Sequence, residues 1–180
     1  ADVQTPFEPV ISDPESVALE WVAIDDVESR PLHPGFARAW PELRRLLEER
    51  VALVVDAANV VGSVPDGWWK DRAGAAERLA GRLDGVAIAA PELGIGGTEW
   101  FPEVSLVVEG QARALDAHPH GVSIVRADAA GDDAIVAEVE KRVGSGANVF
   151  GVTSDRELAD RIRRTEPAQV RSAGWLLERL

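Results

Sequence analysis

From Val51 to the end of the chain, short apolar runs rich in β-branched residues alternate with segments of helical periodicity. The first run, Val51–Val55, lacks the polar alternation of a half-exposed strand, which is typical of a strand buried in a parallel sheet. The predicted strands cover residues 51–55, 104–110, 121–127, 148–154 and 168–173. Strands that alternate with helices predict an α/β fold, a three-layer α/β/α sandwich with a mostly parallel five-stranded sheet.

Helices are predicted around these strands. Residues 131–143 have one apolar stripe at helical spacing, made by Ile135, Val136, Val139 and Val143. Further helices are predicted over residues 37–50, 71–83 and 155–164. Pro41 would lie in the first turn of the helix over 37–50, where its missing N–H costs nothing. Residues 84–99 are rich in glycine and are predicted to form a loop.

The charge of the chain argues against a simple nucleic-acid-binding module. The 180 residues carry a net charge of −12. Residues 1–50 contain 11 acidic and 5 basic residues, and the remainder contains 20 and 14, so neither part is basic in bulk. A polyanionic ligand would need a local basic patch, or metal ions that bridge carboxylates to phosphate.

Composition also limits the chemistry and the compartment. The chain has no cysteine, which excludes disulfides, thiolate zinc sites and cysteine nucleophiles. There is no signal-like start and no apolar run of about 20 residues, so we expect a cytoplasmic protein with no membrane partner. The first residue is Ala rather than Met, which is consistent with a fragment of a longer protein.

Acidic residues follow several predicted strands. Asp56 directly follows the first strand, Asp132 and Asp133 open the helix after the third, and Asp155 follows the fourth. Ligands of open α/β sheets bind beyond the carboxyl ends of the strands, so these side chains are expected at one edge. For Asp132 or Asp155 alone, helix capping is the alternative explanation.

Asp56 is harder to explain as a cap, because four apolar residues precede it and "AAN" follows it. A partly buried carboxylate needs a partner or a cation. Several carboxylates that converge repel one another unless a cation neutralises them. Mg²⁺ and Mn²⁺ choose oxygen ligands of this kind, so a divalent metal site is expected here.

The motifs "VVDAANVVGS", "GDDAIV" and "GVTSDREL", in this order and spacing, resemble those of PIN-like/NYN nucleases over about residues 51–180. The resemblance implies a PIN-like fold and a divalent-metal-dependent nuclease that hydrolyses phosphodiester bonds, with RNA as the expected substrate. The resemblance also implies that Asp56, Asp132 and Asp155 are catalytic and bind Mg²⁺ or Mn²⁺. The metal would activate a water molecule and stabilise the leaving oxygen.

The same resemblance implies supporting residues. Asn59 and Ser154 would be polar supports beside the three aspartates, and Asp133 and Asp128 are further candidates at the same edge. Asp132 is preferred to Asp133 as a metal ligand because the metal-binding Asp of the family stands three positions before the apolar residue that is Ile135 here. Sites of this family usually have a fourth acidic residue, for which the candidates are Asp71 and Glu77.

The stretch "PDGWWKDRAG" is a candidate substrate-binding segment. Trp68 and Trp69 lie beside Lys70 and Arg72, and aromatic rings stack on unpaired bases while cations hold phosphates. The alternative is a core tryptophan beside solvated cations. The basic residues Arg161, Arg163 and Arg164 are equally compatible with an exposed helix face. The segment "HPH" at 118–120 indicates a turn rather than a metal site, because no third ligand is near.

Residues 18–47 resemble the C-terminal end of Nudix hydrolases, in which a W-V-x-x-D-x-V strand is followed by L-H-P-x-F and a last helix. We therefore divide the chain into a Nudix C-terminal-like tail over 1–50, with a strand over 16–27, a loop and a helix, and a PIN-like/NYN α/β domain over 51–180. The tail could pack on the α/β domain, dimerise or be partly disordered. The catalytic Nudix box is absent from the chain.

Two functional interpretations stay open from the sequence. The first is a metal-dependent nuclease that binds single-stranded RNA or nucleotides. The second is a non-catalytic PIN-like module attached to a Nudix nucleotide pyrophosphohydrolase, in which a Nudix domain would belong to the same parent chain. The oligomeric state is open in both.

Overall fold

The computed structural model describes residues 7–12, 14–116 and 121–180. The chain divides into two compact units, Ala1–Arg45 and Leu46–Leu180. The carboxylates singled out from the sequence all lie in the second unit. None of the helices in the described ranges is long and apolar enough to cross a lipid bilayer.

The first unit contains a 3₁₀ helix, Ile24–Ser29, and most of helix α1, Pro34–Glu48. The strand predicted over 16–27 is wrong, since the described residues of this unit form no strand. A strand needs a partner for its backbone N–H and C=O groups, and no neighbouring extended segment pairs with this one. Pro34 takes the first helical position, which its fixed φ favours, so Pro41 lies inside the helix and not in its first turn as predicted.

The second unit is a succession of strands and helices. In chain order they are β1 (Val51–Asp56), α2 (Ala57–Gly62), a 3₁₀ helix (Trp68–Lys70), α3 (Arg72–Leu83), β2 (Ile88–Ala89), α4 (Ala90–Leu93), β3 (Glu99–Trp100), β4 (Glu103–Val108), a 3₁₀ helix (Gly110–Ala114), β5 (Val122–Arg126), α5 (Gly131–Gly144), β6 (Asn148–Val152), α6 (Arg156–Arg163), β7 (Gln169–Arg171) and α7 (Ala173–Leu177).

The five predicted strands form one sheet in the order β5-β4-β1-β6-β7. Every neighbouring pair is parallel, so the predicted fold class is confirmed. β1 lies at the centre, and all six of its residues are buried because helices cover both faces. Asp56, its last residue, is paired in register with Val107 of β4, so its side chain emerges at the carboxyl edge of the sheet.

Alternate residues of β1 belong to two separate apolar cores. Leu53 and Val55 pack on one face with residues of α2, α3 and α7. Ala52 and Val54 pack on the other face with residues of α5 and α6. This alternation follows from the two-residue repeat of a strand and produces the three layers of the sandwich.

Residues 84–99 are more structured than the predicted loop. Ile88 and Ala89 of β2 pair antiparallel with Trp100 and Glu99 of β3, outside the main sheet. α4 lies between these strands and buries Leu93. Strands of two residues are too short to show a periodicity, so the glycine content of this segment dominated the prediction.

A buried polar network joins α5 to β4. Glu138 is 5% exposed, and its Oε1 accepts hydrogen bonds from Ser105 Oγ at 2.8 Å and Arg142 Nε at 2.8 Å. Its Oε2 accepts one from Lys141 Nζ at 2.9 Å. Burial acts to raise the pKa of Glu138, but these hydrogen bonds outweigh it and hold the pKa below its usual value. The buried carboxylate of Glu138, which joins α5 to β4, is thus compensated by cations of the protein itself.

Candidate functional site

Four carboxylates lie at the carboxyl edge of the sheet. Asp56 ends β1, Glu109 follows β4, Asp132 stands in the first turn of α5 after β5, and Asp155 caps α6 after β6. The negative charges of Asp132 and Glu109 both raise the pKa of Asp56. Those of Asp155 and Glu109 raise the pKa of Asp132. The parallel topology therefore places Asp132 within electrostatic range of Asp155, and Asp56 within electrostatic range of Asp132.

Asp56 is 9% exposed and its two carboxylate oxygens have different partners. Oδ1 accepts a hydrogen bond from the backbone N–H of Asn59 at 3.0 Å, which caps α2. Oδ2 accepts one from Thr153 Oγ1 at 3.0 Å. Burial raises the pKa of Asp56 above its usual value, and these two hydrogen bonds oppose the change only in part. Asp56 therefore does cap a helix, but no cation among the described residues compensates its charge.

Thr153 connects Asp56 to Asp155. Its buried hydroxyl donates to Asp56 and accepts a hydrogen bond from the backbone N–H of Asp155 at 3.1 Å. Asp155 in turn caps α6, because its Oδ1 accepts from the N–H of Leu158 at 2.9 Å. One threonine thus fixes the ends of β1 and β6 relative to each other. The sequence offered no signal for Thr153 beyond its place before "SD".

Asn59 and Ser154, the predicted supports, hold the same two turns together. The side-chain Oδ1 of Asn59 accepts a hydrogen bond from the backbone N–H of Ser154 at 2.7 Å. Ser154 Oγ accepts another from the N–H of Ala173, at the start of α7, at 3.0 Å. Both residues therefore position the turns that carry Asp56 and Asp155.

Asp132 and Asp133 differ in their surroundings. Burial and the charge of Asp155 raise the pKa of Asp132, and Arg161 acts in the opposite direction. Arg161 lies 3.8 Å from Asp132 Oδ2 and 2.5 Å from Asp133 Oδ1. The Asp133 side chain is 72% exposed and pairs with Arg161, whereas Asp132 interacts electrostatically with Asp155 and Glu109. Asp128 is exposed, and its side chain has no hydrogen bond or ion pair to any described residue.

Glu109 is the member of this group that the sequence analysis missed. Its Oε2 accepts a hydrogen bond from the backbone N–H of Gly131 at 3.0 Å, and a Cβ on Gly131 would lie 2.5 Å from that oxygen. Glu109 follows "VSLVV" as Asp56 follows "ALVV", so the same reasoning would have identified it.

The two residues considered as a fourth acid have other roles. Asp71 caps α3 through the N–H of Gly74 at 2.9 Å. Glu77 accepts a hydrogen bond from the N–H of Asp116 at 2.9 Å. Neither contributes to the raised pKa of Asp56 or Asp132.

The donor set of this edge fits a hard divalent cation. Carboxylate oxygens are the ligands that Mg²⁺ and Mn²⁺ prefer, and within the described ranges no Lys or Arg forms an ion pair with Asp56, Glu109 or Asp155. Glu138, by contrast, is neutralised by its own helix. Over the residues described, however, no three His, Asp or Glu side chains are grouped closely enough to hold an ion.

The aromatic and basic segment lies next to Glu109. A cavity of about 360 Å³ is lined by Trp68 and Arg72 and reaches Glu109 and Gly110. The Arg72 guanidinium lies over the Trp68 ring, 5.3 Å from its centroid. Trp69 and Lys70 are exposed and do not line this cavity.

A second depression, of about 460 Å³, is lined in part by Asp155. Arg156, Arg163 and Arg171 line it together with Thr153 and Ser154. Arg163 is paired with Asp160 at 2.8 Å, whereas Arg156 has no ion pair to any residue that the structure describes. The "HPH" segment lies outside the described residues.

Comparison with known proteins shows the fold. No protein-family model matches the chain, and no curated protein matches it in sequence. The chain is similar to the crystal structure of a mutant of Rae1 (YacP) from Bacillus subtilis, with a TM-score of 0.54 and 17% identity over 71% of this chain and 73% of that chain. A second crystal structure of Rae1 (YacP) from Bacillus subtilis matches with a TM-score of 0.49 and 18% identity over 71% of each chain.

The Nudix interpretation of residues 18–47 finds no support in these comparisons. The structural similarity at 17% identity concerns the backbone fold, which is the α/β sandwich described above. The chain therefore shares the α/β fold of Rae1 (YacP) from Bacillus subtilis.

Proposed function

We propose that the chain is a divalent-metal-dependent phosphodiester hydrolase that acts on single-stranded RNA. The observation that carries this proposal is the group of Asp56, Asp132, Asp155 and Glu109 at the carboxyl edge of the sheet. Burial and mutual repulsion raise the pKa of Asp56 and Asp132, and no described Lys or Arg forms an ion pair with Asp56, Glu109 or Asp155. A bound Mg²⁺ or Mn²⁺ would relieve this repulsion.

Asp56, Asp132 and Asp155 would hold the metal, with Glu109 as an additional ligand. When bound, such a metal activates water and stabilises the oxygen that leaves phosphorus. The protein's own part is to hold the carboxylates in place. Thr153 does so for Asp56 and Asp155 through its hydroxyl, and Asn59 and Ser154 tie the two turns together.

The nucleic acid would be held on both sides of the carboxylates. Trp68 provides an aromatic surface for a base, and Lys70 and Arg72 provide charges for phosphates. Beyond Asp155, Arg156 provides a further cation without a carboxylate partner among the described residues. These local cations would allow a polyanion to bind although the net charge of the chain is −12.

The test is cleavage of a fluorescently labelled single-stranded RNA with Mn²⁺, with Mg²⁺ and with EDTA. Wild-type protein is expected to cut only with metal. Asp56→Asn is expected to lower the rate more than about 100-fold, since losing even a partner of a metal ligand costs 10–100-fold. Asp133→Asn is the matched control, because this neighbour is exposed and paired with Arg161.

Two outcomes contradict the proposal. One is a pure preparation that leaves RNA intact at millimolar Mn²⁺, which favours the non-catalytic module. The other is equal cleavage by wild type and Asp56→Asn, which would place the activity elsewhere or in a contaminant. A DNA oligonucleotide of the same sequence, tested in parallel, shows whether cleavage depends on the 2′-hydroxyl.

A further inference from the structure

We propose that the cavity beside Trp68 is a pocket for one unpaired nucleobase, so that the protein binds single strands by taking a base out of the stack. The inference rests on the proposed function for the nature of the ligand, but it concerns a separate surface and a separate measurement. Of the two tryptophans in "GWWK", only Trp68 lines the pocket.

The walls of the cavity suit a flat apolar ring. Trp68 is half-buried, and the remaining apolar lining is small: Ala57, Ala58, Val61, Ala76, Ala112 and Ala129. These small side chains leave room in the cavity beside the indole ring. The volume of about 360 Å³ is within the usual range for sites of small ligands. Indole rings stack well on any base, because every base has a π face.

The charges around the cavity distinguish a nucleotide from other flat ligands. Arg72 lies over the Trp68 ring and has no carboxylate partner within the described chain. Its guanidinium can therefore donate hydrogen bonds to a phosphate while the indole ring stacks on the base of the same nucleotide. In a nucleotide, a planar base and an anionic phosphate are joined through one sugar.

The cavity is also continuous with the carboxylate edge. Glu109 lines the cavity and interacts electrostatically with Asp56 and Asp132. A base seated on Trp68 thus leaves its neighbouring phosphate within reach of the edge. A paired base in a duplex cannot enter such a pocket without unstacking, which costs a few kcal/mol and selects for single strands.

The test is equilibrium binding of a labelled single-stranded RNA, followed by fluorescence anisotropy in EDTA, where no metal-dependent cleavage occurs. Trp68→Ala is expected to weaken binding about 5- to 100-fold, the usual effect of losing one stacked base. Trp68→Phe should recover most of the affinity. Trp69→Ala, the matched control, is expected to change affinity less than about 2-fold because Trp69 lies outside the cavity.

A second variant covers the case in which Trp68→Ala does not fold. Ala58→Leu places a larger side chain on an exposed position of the lining and is expected to weaken binding to a similar degree. Ala137→Leu, exposed on α5 and outside the lining, is its control and should bind as wild type. Circular dichroism spectra recorded in the binding buffer identify any variant that has lost its fold.

Several results would overturn the pocket. They are equal losses for Trp68→Ala and Trp69→Ala, unchanged binding by Ala58→Leu, equal affinity for the RNA duplex, or equal affinity for an oligonucleotide without bases. Failure of the nuclease proposal gives a different result. Asp56→Asn would then cut like wild type, or nothing would be cut, while the Trp68 variants still lose binding in EDTA.

Discussion

At the scale of single residues, the buried carboxylates of this chain are treated in two ways. Glu138 receives Arg142, Lys141 and Ser105, so its charge is held within α5 and β4. Among the described residues, Asp56 accepts hydrogen bonds from two neutral groups only, and it lies near other negative charges. The Glu138 network stabilises the native state without a bound ion. The arrangement around Asp56 is stabilised only when a cation binds.

Asp56→Asn is therefore expected to raise the melting temperature in metal-free buffer at pH 7. The native pKa of Asp56 lies above its ordinary value of 3.8, so the native state holds the proton more tightly than the unfolded chain. The stability from this group is present below about 3.8 and is lost as pH rises through the native pKa. The advantage of Asn, which still caps a helix, should grow over this interval.

Thermal melts in EDTA between pH 4 and pH 8 measure this effect, with Asp133→Asn as the control. A wild type that is more stable than Asp56→Asn at pH 7, by an amount independent of pH, would contradict the account of this residue.

Thr153→Val is expected to lower stability by about 1–2 kcal/mol, because it removes a buried hydrogen bond to Asp56 and leaves the N–H of Asp155 without its acceptor. In a chain of this size that corresponds to a Tm lower by roughly 2–8 °C. Thr153→Ser keeps the hydroxyl and should retain most of the stability. Equal melting temperatures for the two variants would show that the hydroxyl does not matter.

At the scale of elements, the Glu138 network joins α5 to the sheet. Glu138→Gln is expected to cost about 1.5–3 kcal/mol at pH 7, since the hydrogen bonds it weakens involve charged groups. The native pKa of Glu138 lies below its usual 4.5, so its contribution is present above that value and is lost as pH falls through the native pKa.

Urea titrations at pH 7 and pH 4 measure this contribution, with the exposed Glu140→Gln as the control. A loss for Glu138→Gln that is no larger than the loss for Glu140→Gln, or that grows on acidification, would contradict it.

Elements with a local signal were predictable from the sequence, and those that depend on a distant partner were not. Strand β1 is an apolar run that is buried throughout, and the parallel direction of the sheet strands follows from the helices that connect them. The segment 16–27 also has strand-like residues, but a strand forms only with a partner. Glu109 was missed although Asp56 shows the same pattern. Thr153 was missed because its hydrogen bond to Asp56 joins residues 97 positions apart in the chain.

At the scale of the whole molecule, metal binding should appear as stability. A cation that binds only the native state at 100 times its Kd adds about 2.7 kcal/mol. For a chain of this length that corresponds to a Tm higher by roughly 5–11 °C. Wild type and Asp133→Asn should show this rise with Mn²⁺, and Asp56→Asn should not. An equal rise in Asp56→Asn would indicate that the ion binds elsewhere.

The claim on which the rest depends is that the carboxylates at the sheet edge bind one cation together. The most direct measurement is an anomalous difference map from crystals soaked in Mn²⁺. The account predicts a peak contacted by Asp56 and by Asp132, Asp155 or both. A saturated crystal with no peak at this edge, or with a peak held by other residues, would contradict it.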